Sequence, residues 1–282
     1  MPGYWYAIAK TANMNEHPTL AQIRDGAFFL IAGPCVVESR SLCEEVAGQV
    51  KSWCEQLGIP YIFKASYRKA NRSSIHSFQG IGDAAALEVL SHVRSTFDLP
   101  VTSDIHTEEE AALAADHLDV LQIPAFLCRQ TTLLQAAGQT GKIVNIKKGQ
   151  FMSAQAMQFA LEKSQNAGAS DTWLTERGNS FGYQDLVVDY RNIPWMQQLG
   201  ATTILDCTHS LQQPNQSKGV TGGHPELIPV IAQAGVAAGA HGLFIETHPK
   251  PSVALSDGAN MLPLSSLYPL LEKLIRIREA LQ

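Results

Sequence analysis

Eight times along the chain a short apolar run ends in a polar or ionisable residue. The runs are FFLIAGPCV (28–36), YIFKAS (61–66), LPVTSDIH (99–106), VLQIPA (120–125), IVNIKK (143–148), TWLTERG (172–178), TTILDCTHS (202–210) and GLFIETHP (242–249). Their chemistry-bearing residues are Cys35, Lys64, Asp104, Gln122, Lys147, Arg177, His209 and Glu246. Amphipathic segments of helical period lie between the runs, which is how parallel strands covered by helices read in one dimension. Eight such units predict a single TIM (β/α)8 barrel, where the loops at the carboxyl ends of the strands build one mouth. All eight residues are then expected to converge there.

The clearest helical segments are 39–58, 82–98 and 153–168, followed by 107–118, 131–141, 225–240 and 263–282. A short helix over 190–200 carries Pro194 in its first turn, where a missing N–H costs little. The chain has 282 residues, close to the ~250 of a typical barrel, and strand and helix alternate without a second zone of composition. One catalytic barrel over 28–282 is therefore predicted, preceded by an extension, 1–27, that either closes the far end of the barrel or trails from it. Three connections, 67–80, 211–224 and 249–262, are long enough to serve as lids or binding elements on the active face. GIGDAA (80–85) follows a loop instead of a strand, so it punctuates a helix start and is not a dinucleotide loop.

No apolar stretch approaches the ~20 residues of a membrane helix, and MPGYWYAIAK lacks the basic-then-apolar layout of a secretory signal. A cytoplasmic protein is expected. Five cysteines without C-x-x-C spacing point to reduced thiols, with Cys43 and Cys54 as helix-face core residues. The net charge of −5 argues against nucleic-acid or acidic-membrane partners. An anionic ligand would need a local positive cluster.

Such a cluster is available. Lys64, Lys69, Arg72, Lys147, Lys148 and Arg177 come from three strand ends and their loops. Like charges ~4 Å apart repel by roughly 4 kcal/mol at an effective dielectric near 20, so inward cations require balancing anions, which favours a phosphate- or carboxylate-bearing substrate. Strand alternation lets only one of Lys147 and Lys148 face the lumen. Cys35, His209, Glu246 and Asp257 offer a thiolate, an imidazole and two carboxylates at the same end, a mixture suited to Zn²⁺, Fe²⁺ or Mn²⁺. His248 competes with Glu246 for a ligand role, because both lie on one strand face.

The runs 63–66 (FKAS), 69–74 (KANRSS), 122–127 (QIPAFL), 145–148 (NIKK), 176–178 (ERG) and 206–210 (DCTHS) resemble the 3-deoxy-D-manno-octulosonate 8-phosphate synthase family across residues 28–275. The resemblance implies a barrel enzyme, a homotetramer, that condenses phosphoenolpyruvate with arabinose 5-phosphate and water in building the lipopolysaccharide inner core. By that resemblance Lys64, Ser66 and Lys69 hold the phosphoenolpyruvate carboxylate. Gln122, Lys147, Arg177 and the backbone at Ala125 hold its phosphate. Asn71, Arg72 and Ser73 receive arabinose 5-phosphate, with Arg72 and Ser73 serving a neighbouring subunit. Lys64, Lys69, Asp104, His209 and Asp257 are the catalytic group, with Asp104 near the reacting water.

Cysteine instead of asparagine at position 35 implies the metal-dependent branch, with Cys35, His209, Glu246 and Asp257 as ligands and His248 left to a supporting role. Two alternatives stand beside this reading. One is the related synthase that uses erythrose 4-phosphate, whose sugar loop reads Lys-Pro-Arg-Thr-Ser where this chain has Lys-Ala-Asn-Arg-Ser-Ser. The other is a non-catalytic barrel that senses a metal or metabolite.

Overall fold

The computed structural model describes residues 16–70, 77–181, 185–213 and 222–281. Its centre is an eight-stranded parallel barrel: β1 (Phe29–Gly33), β2 (Tyr61–Lys64), β3 (Val101–Asp104), β4 (Val120–Ile123), β5 (Ile143–Lys147), β6 (Asp171–Glu176), β7 (Thr202–Asp206) and β8 (Gly242–His248). Each strand pairs with the next, and β8 closes on β1 in a register running from Phe29 opposite Gly242 to Gly33 opposite Glu246. All eight lie within or against the predicted runs.

The side-chain period of two divides the lumen into halves. Phe29, Ile31, Ile62, Val120, Ile143, Trp173, Ile204 and Phe244 form one buried apolar cluster. Two residues further along their strands, Ile62 gives way to Lys64, Val120 to Gln122, Ile204 to Asp206 and Phe244 to Glu246, all buried. The amino half of the barrel is thus a hydrophobic plug, and the carboxyl half is a polar chamber standing on it. Alternate positions face outward into the larger core between barrel and helices, where Leu30, Phe63, Leu121, Val144, Leu174, Leu205 and Leu243 pack.

The outer layer is α2 (Arg40–Leu57), α3 (Asp83–Phe97), α4 (Glu108–Ala115), α5 (Thr131–Gln139), α6 (Gln158–Ala167), α7 (Asn192–Gln197), α8 (Ile228–Ala237) and α9 (Leu267–Glu279). Local chemistry fixes their limits. Ser39 accepts from Leu42 N to start α2, and Gly58 ends it in the left-handed region at φ 65°. Cys43 and Cys54 lie in its buried face as expected, and all five cysteines are free. The helix expected over 153–168 begins as a 3-10 turn at Gln155–Met157 before becoming α6.

One helix has no counterpart in the sequence reading. In α1 (Pro18–Arg24), Leu20 and Ile23 are buried and join the lumen cluster beside Phe29 and Trp173. Among the described residues no helix is long and apolar enough to cross a membrane.

Candidate active site

At the carboxyl end of the barrel the lumen residues form two linked polar assemblies. In the first, a hydrogen-bond chain crosses the chamber from β2 to β6. Ser66 Oγ donates to Asp104 Oδ2 at 2.6 Å and Gln122 Nε2 donates to Asp104 Oδ1 at 2.6 Å. Asn145 Nδ2 donates to Gln122 Oε1 at 3.0 Å, and Thr175 Oγ1 donates to Asn145 Oδ1 at 2.7 Å. Every link is buried and satisfied, so the chain holds its members in one arrangement.

The second assembly is ionic. Lys64 Nζ lies 2.5 Å from Glu246 Oε1 and also donates to Cys35 O at 3.2 Å, while Lys69 Nζ lies 3.9 Å from the same Glu246 oxygen. Lys147 Nζ lies 2.5 Å from Asp206 Oδ2, which also accepts from His209 Nδ1 at 2.8 Å. The Phe244 ring is the floor beneath them, 3.5 Å from Lys147 Nζ and 5.3 Å from Lys64 Nζ, so its negative face supports both cations. Alternation chooses Lys147 for the lumen. Lys148 points outward, fully buried, where it donates to Asn179 Oδ1 at 2.8 Å and lies 3.4 Å from Glu176 Oε1.

The requirement that an outside anion balance the inward cations therefore holds only in part. Glu246 and Asp206, from the protein itself, already pair with Lys64 and Lys147. Arg177 differs. It is buried, its Nη2 donates to Gln212 Oε1 at 3.1 Å, and its Nη1 has no hydrogen-bond partner among the described residues. Ala125 opens a 3-10 turn, Ala125–Leu127, at the end of β4. Asn71, Arg72 and Ser73 lie outside the described residues.

A donor set for a cation adjoins the lysines. Ligand atoms of Cys35, Glu246 and Asp257 all lie within 4.8 Å of one another. His209 is not in that group. It reaches only the edge of it, with Nε2 3.6 Å from Glu246 Oε2. Closure of β8 on β1 brings Glu246 beside Gly33 and hence near Cys35. Asp257 is held in the left-handed region at φ 47°, and Cys35 Sγ lies 3.3 Å from its Oδ2 and 2.8 Å from Ser256 Oγ. A non-glycine residue in that region persists only where its surroundings impose it. Glu246 Oε2 is buried with no hydrogen-bond partner among the described residues. An orphaned carboxylate oxygen beside a thiol, a second carboxylate and an imidazole fits a borderline divalent ion. His248 stands apart from this group, 4.0 Å from Glu38 Oε2, and its Nδ1 accepts from Lys250 N at 2.9 Å.

Gly33 shows how tightly the strand ends meet. A Cβ there would lie 2.0 Å from Lys64 O, so only glycine lets β1 approach the lysine-bearing strand.

The electrostatics follow from burial among mixed charges. Burial pushes the carboxyls of Asp104, Asp206 and Glu246 upward, but neighbouring positive groups outweigh it: Lys64, Lys69 and Lys147 at Asp104, His209 in its protonated form and Lys147 at Asp206, Lys64 and protonated His209 at Glu246. All three are held well below the usual carboxylate range. Burial, then Glu246, pushes the Cys35 thiol up to about 12. Carboxyls depressed in this way contribute stability that is fully present above their unfolded values and is lost as pH falls toward their folded ones. Thermal unfolding followed from pH 7 downward is expected to show a falling midpoint below roughly pH 5, near the unfolded carboxylate values. The decline should be shallower in Glu246→Gln; equal acid limbs in both proteins would contradict this origin.

Sequence reasoning missed Asp206, Phe244 and Ser256. Asp206 stood inside a quoted motif, and its place on the lumen face two residues after Ile204 is the signal that could have found it. Ser256 sits in a loop and carries no periodic signal.

A closed barrel whose mouth gathers lysines, an arginine and a soft-donor cation group defines a (β/α)8 enzyme built to act on an anionic substrate. Residues 11–282 match the DAHP synthetase I family. The chain is 52% identical over 255 residues to a 2-dehydro-3-deoxyphosphooctonate aldolase of Koribacter versatilis, covering 89% of this chain and 91% of that one. It is 49% identical over 260 residues to the enzyme of the same name from a Cyanothece species, covering 92% and 95%, and 51% identical over 255 residues to that of Brucella ovis, covering 89% and 92%. The chain belongs to the DAHP synthetase I family and, within it, to the 2-dehydro-3-deoxyphosphooctonate aldolases.

Proposed function

We propose that this protein condenses phosphoenolpyruvate with D-arabinose 5-phosphate and water, giving 3-deoxy-D-manno-octulosonate 8-phosphate and inorganic phosphate. One observation carries the reading: identity near one half, over about nine-tenths of each chain, to enzymes named for that product. Carbon 3 of phosphoenolpyruvate attacks the sugar aldehyde, positive character develops at carbon 2, and water adds there. The resulting hemiketal phosphate collapses by C–O cleavage and releases phosphate.

The residues divide accordingly. Lys64, Ser66 and Lys69 receive the carboxylate end. Lys147, Arg177, Gln122 and the backbone at Ala125 receive the phosphate, where preorganised positive charge favours its departure. Arg177 suits bidentate contact and Lys147 supplies a compact charge. Asp104, fixed by Ser66 and Gln122, is a partner for the reacting water. Cys35, Glu246 and Asp257, completed by His209, would hold a divalent ion, Mn²⁺, Fe²⁺ or Zn²⁺. Such an ion, when bound, supplies Lewis acidity and a fixed point for orienting the aldehyde and water.

The sugar phosphate falls to Asn71, Arg72 and Ser73, with Arg72 and Ser73 serving a neighbouring subunit of a homotetramer in the cytoplasm. Within 1–27, Leu20 and Ile23 of α1 support reading residues 16–27 as the floor of the barrel, while 1–15 lie outside the described residues. Phosphate release from phosphoenolpyruvate tests the assignment. It is expected only with an aldose phosphate, with kcat/KM for arabinose 5-phosphate far above that for erythrose 4-phosphate. The reverse preference would transfer the chain to the shorter-sugar synthase, and no release with either would leave a binding barrel.

A further inference from the structure

Asp206 ends β7 with its carboxylate fully buried, yet four donors satisfy it. Thr208 N and His209 N donate to Oδ1 at 3.0 and 2.8 Å. His209 Nδ1 and Lys147 Nζ converge on Oδ2 at 2.8 and 2.5 Å. The two oxygens therefore do different work: Oδ1 fixes the backbone turn that follows the strand, and Oδ2 fixes two side chains of the chamber.

An ionised carboxylate only accepts, and Asp206 Oδ2 at 2.8 Å is nearer to His209 Nδ1 than the Lys147 ammonium at 3.5 Å, so the imidazole proton sits on Nδ1 and, when His209 is neutral as a ligand must be, its lone pair is on Nε2. That nitrogen lies 3.6 Å from Glu246 Oε2, the oxygen with no hydrogen-bond partner. A carboxylate on the far nitrogen of a metal-binding imidazole fixes the tautomer and the ring and raises the basicity of the ligating nitrogen. The same oxygen also holds the Lys147 ammonium at 3.5 Å over the Phe244 ring. Moving Asp206 would therefore disturb both.

We propose that Asp206 is a positioning residue that sets both halves of the mouth at once, turning His209 Nε2 toward the Cys35, Glu246 and Asp257 group and aiming Lys147 at the substrate phosphate. The inference rests on the metal and phosphate roles proposed above. Its particular content is that one oxygen couples them, so cation binding and phosphoenolpyruvate binding weaken together when that oxygen is lost.

Asp206→Asn separates this role from a structural one. Asparagine keeps an acceptor for the two backbone amides but puts an NH₂ group where Oδ2 accepted from His209 and Lys147. Full-length, metal-free protein is titrated with Mn²⁺ by calorimetry, and separately with phosphoenolpyruvate. The ¹⁵N signals of the His209 ring are read in the metal-free proteins before any Mn²⁺ is added, assigned by their loss in His209→Gln. Mn²⁺ affinity is expected to fall ~10- to 100-fold, phosphoenolpyruvate affinity to fall with it, and the Nδ1-protonated signature of His209 to disappear.

Unchanged affinity for either ligand in a folded Asp206→Asn would overturn the shared role. If that variant does not fold, the unaltered protein decides, because neutral His209 protonated on Nε2 contradicts the proposal directly. Failure of the metal reading is recognisable separately: unaltered protein that binds no Mn²⁺ removes both ideas. Equal Mn²⁺ binding by the unaltered protein and Asp206→Asn removes only the role of Asp206.

Discussion

Stripping divalent metal with a chelator is expected to lower phosphate release from phosphoenolpyruvate and arabinose 5-phosphate by ~10³-fold, the rate equivalent of several kcal/mol of lost charge stabilisation. Added Mn²⁺ or Fe²⁺ should restore it. The donor set explains why the loss should be large. Cys35 is fully buried with its sulfur 3.3 Å from Asp257 Oδ2, and its thiol is pushed up to about 12. Without a cation the sulfur keeps its proton and is a poor ligand. With one bound, its two positive charges would offset two of the three negative charges of the thiolate and carboxylates and so favour the thiolate, and loading should release a proton. Cys35→Ala is expected to lose metal affinity and activity together.

The same geometry also supplies positive charge from the protein itself. Lys64 lies 2.5 Å and Lys69 3.9 Å from Glu246 Oε1, so two ammonium groups already sit where a metal would add charge. Should these suffice, chelated protein would retain full turnover and the proposed ligand role of Cys35 would be lost. Metal content measured beside activity separates the two outcomes, since rescue must track bound ion.

The barrel could be read from the sequence because lumen and outer face impose opposite demands on successive residues. The pairs Ile62 and Lys64, Val120 and Gln122, Ile204 and Asp206, Phe244 and Glu246 record an apolar plug below a polar chamber. Their spacing is fixed by the strand period. The choice between Lys147 and Lys148 was also framed by that period, but only register decides it. Other features had no local signature. α1 is seven residues long, too short for helical periodicity to register, and its Leu20 and Ile23 acquire meaning only beneath a closed barrel. The pairings of Lys64 with Glu246 and of Lys147 with Asp206 join distant strands, so a count of inward cations overstated the positive charge left for a ligand.

Arg177 is the lumen cation without a salt bridge among the described residues, with Asp206 and Glu176 acting on it only at longer range, and its removal should be the most damaging single truncation in the phosphate clamp. Among the described residues the other lumen cations, Lys64, Lys69 and Lys147, each have a carboxylate oxygen within 4.0 Å, whereas Arg177 forms no salt bridge. One arm of its fork is satisfied by Gln212, and the other, Nη1, is buried and unpartnered. For the folded protein alone a buried guanidinium with an unsatisfied N–H is costly. A ligand that brings two oxygens to the fork reverses the balance. Arg177→Ala is therefore expected to lower kcat/KM for phosphoenolpyruvate by ~10²- to 10³-fold, the scale of losing one preorganised donor at a developing charge. The apparent affinity for arabinose 5-phosphate should change far less. Arg177→Lys keeps the charge without the fork and should fall between the two. Thermal stability supplies the second axis: the unliganded alanine variant should unfold no lower than the unaltered protein, since truncation removes a desolvated charge. Loss of stability with unchanged phosphoenolpyruvate affinity would instead make Arg177 a structural residue, and the phosphate clamp would have to be sought elsewhere in the chamber.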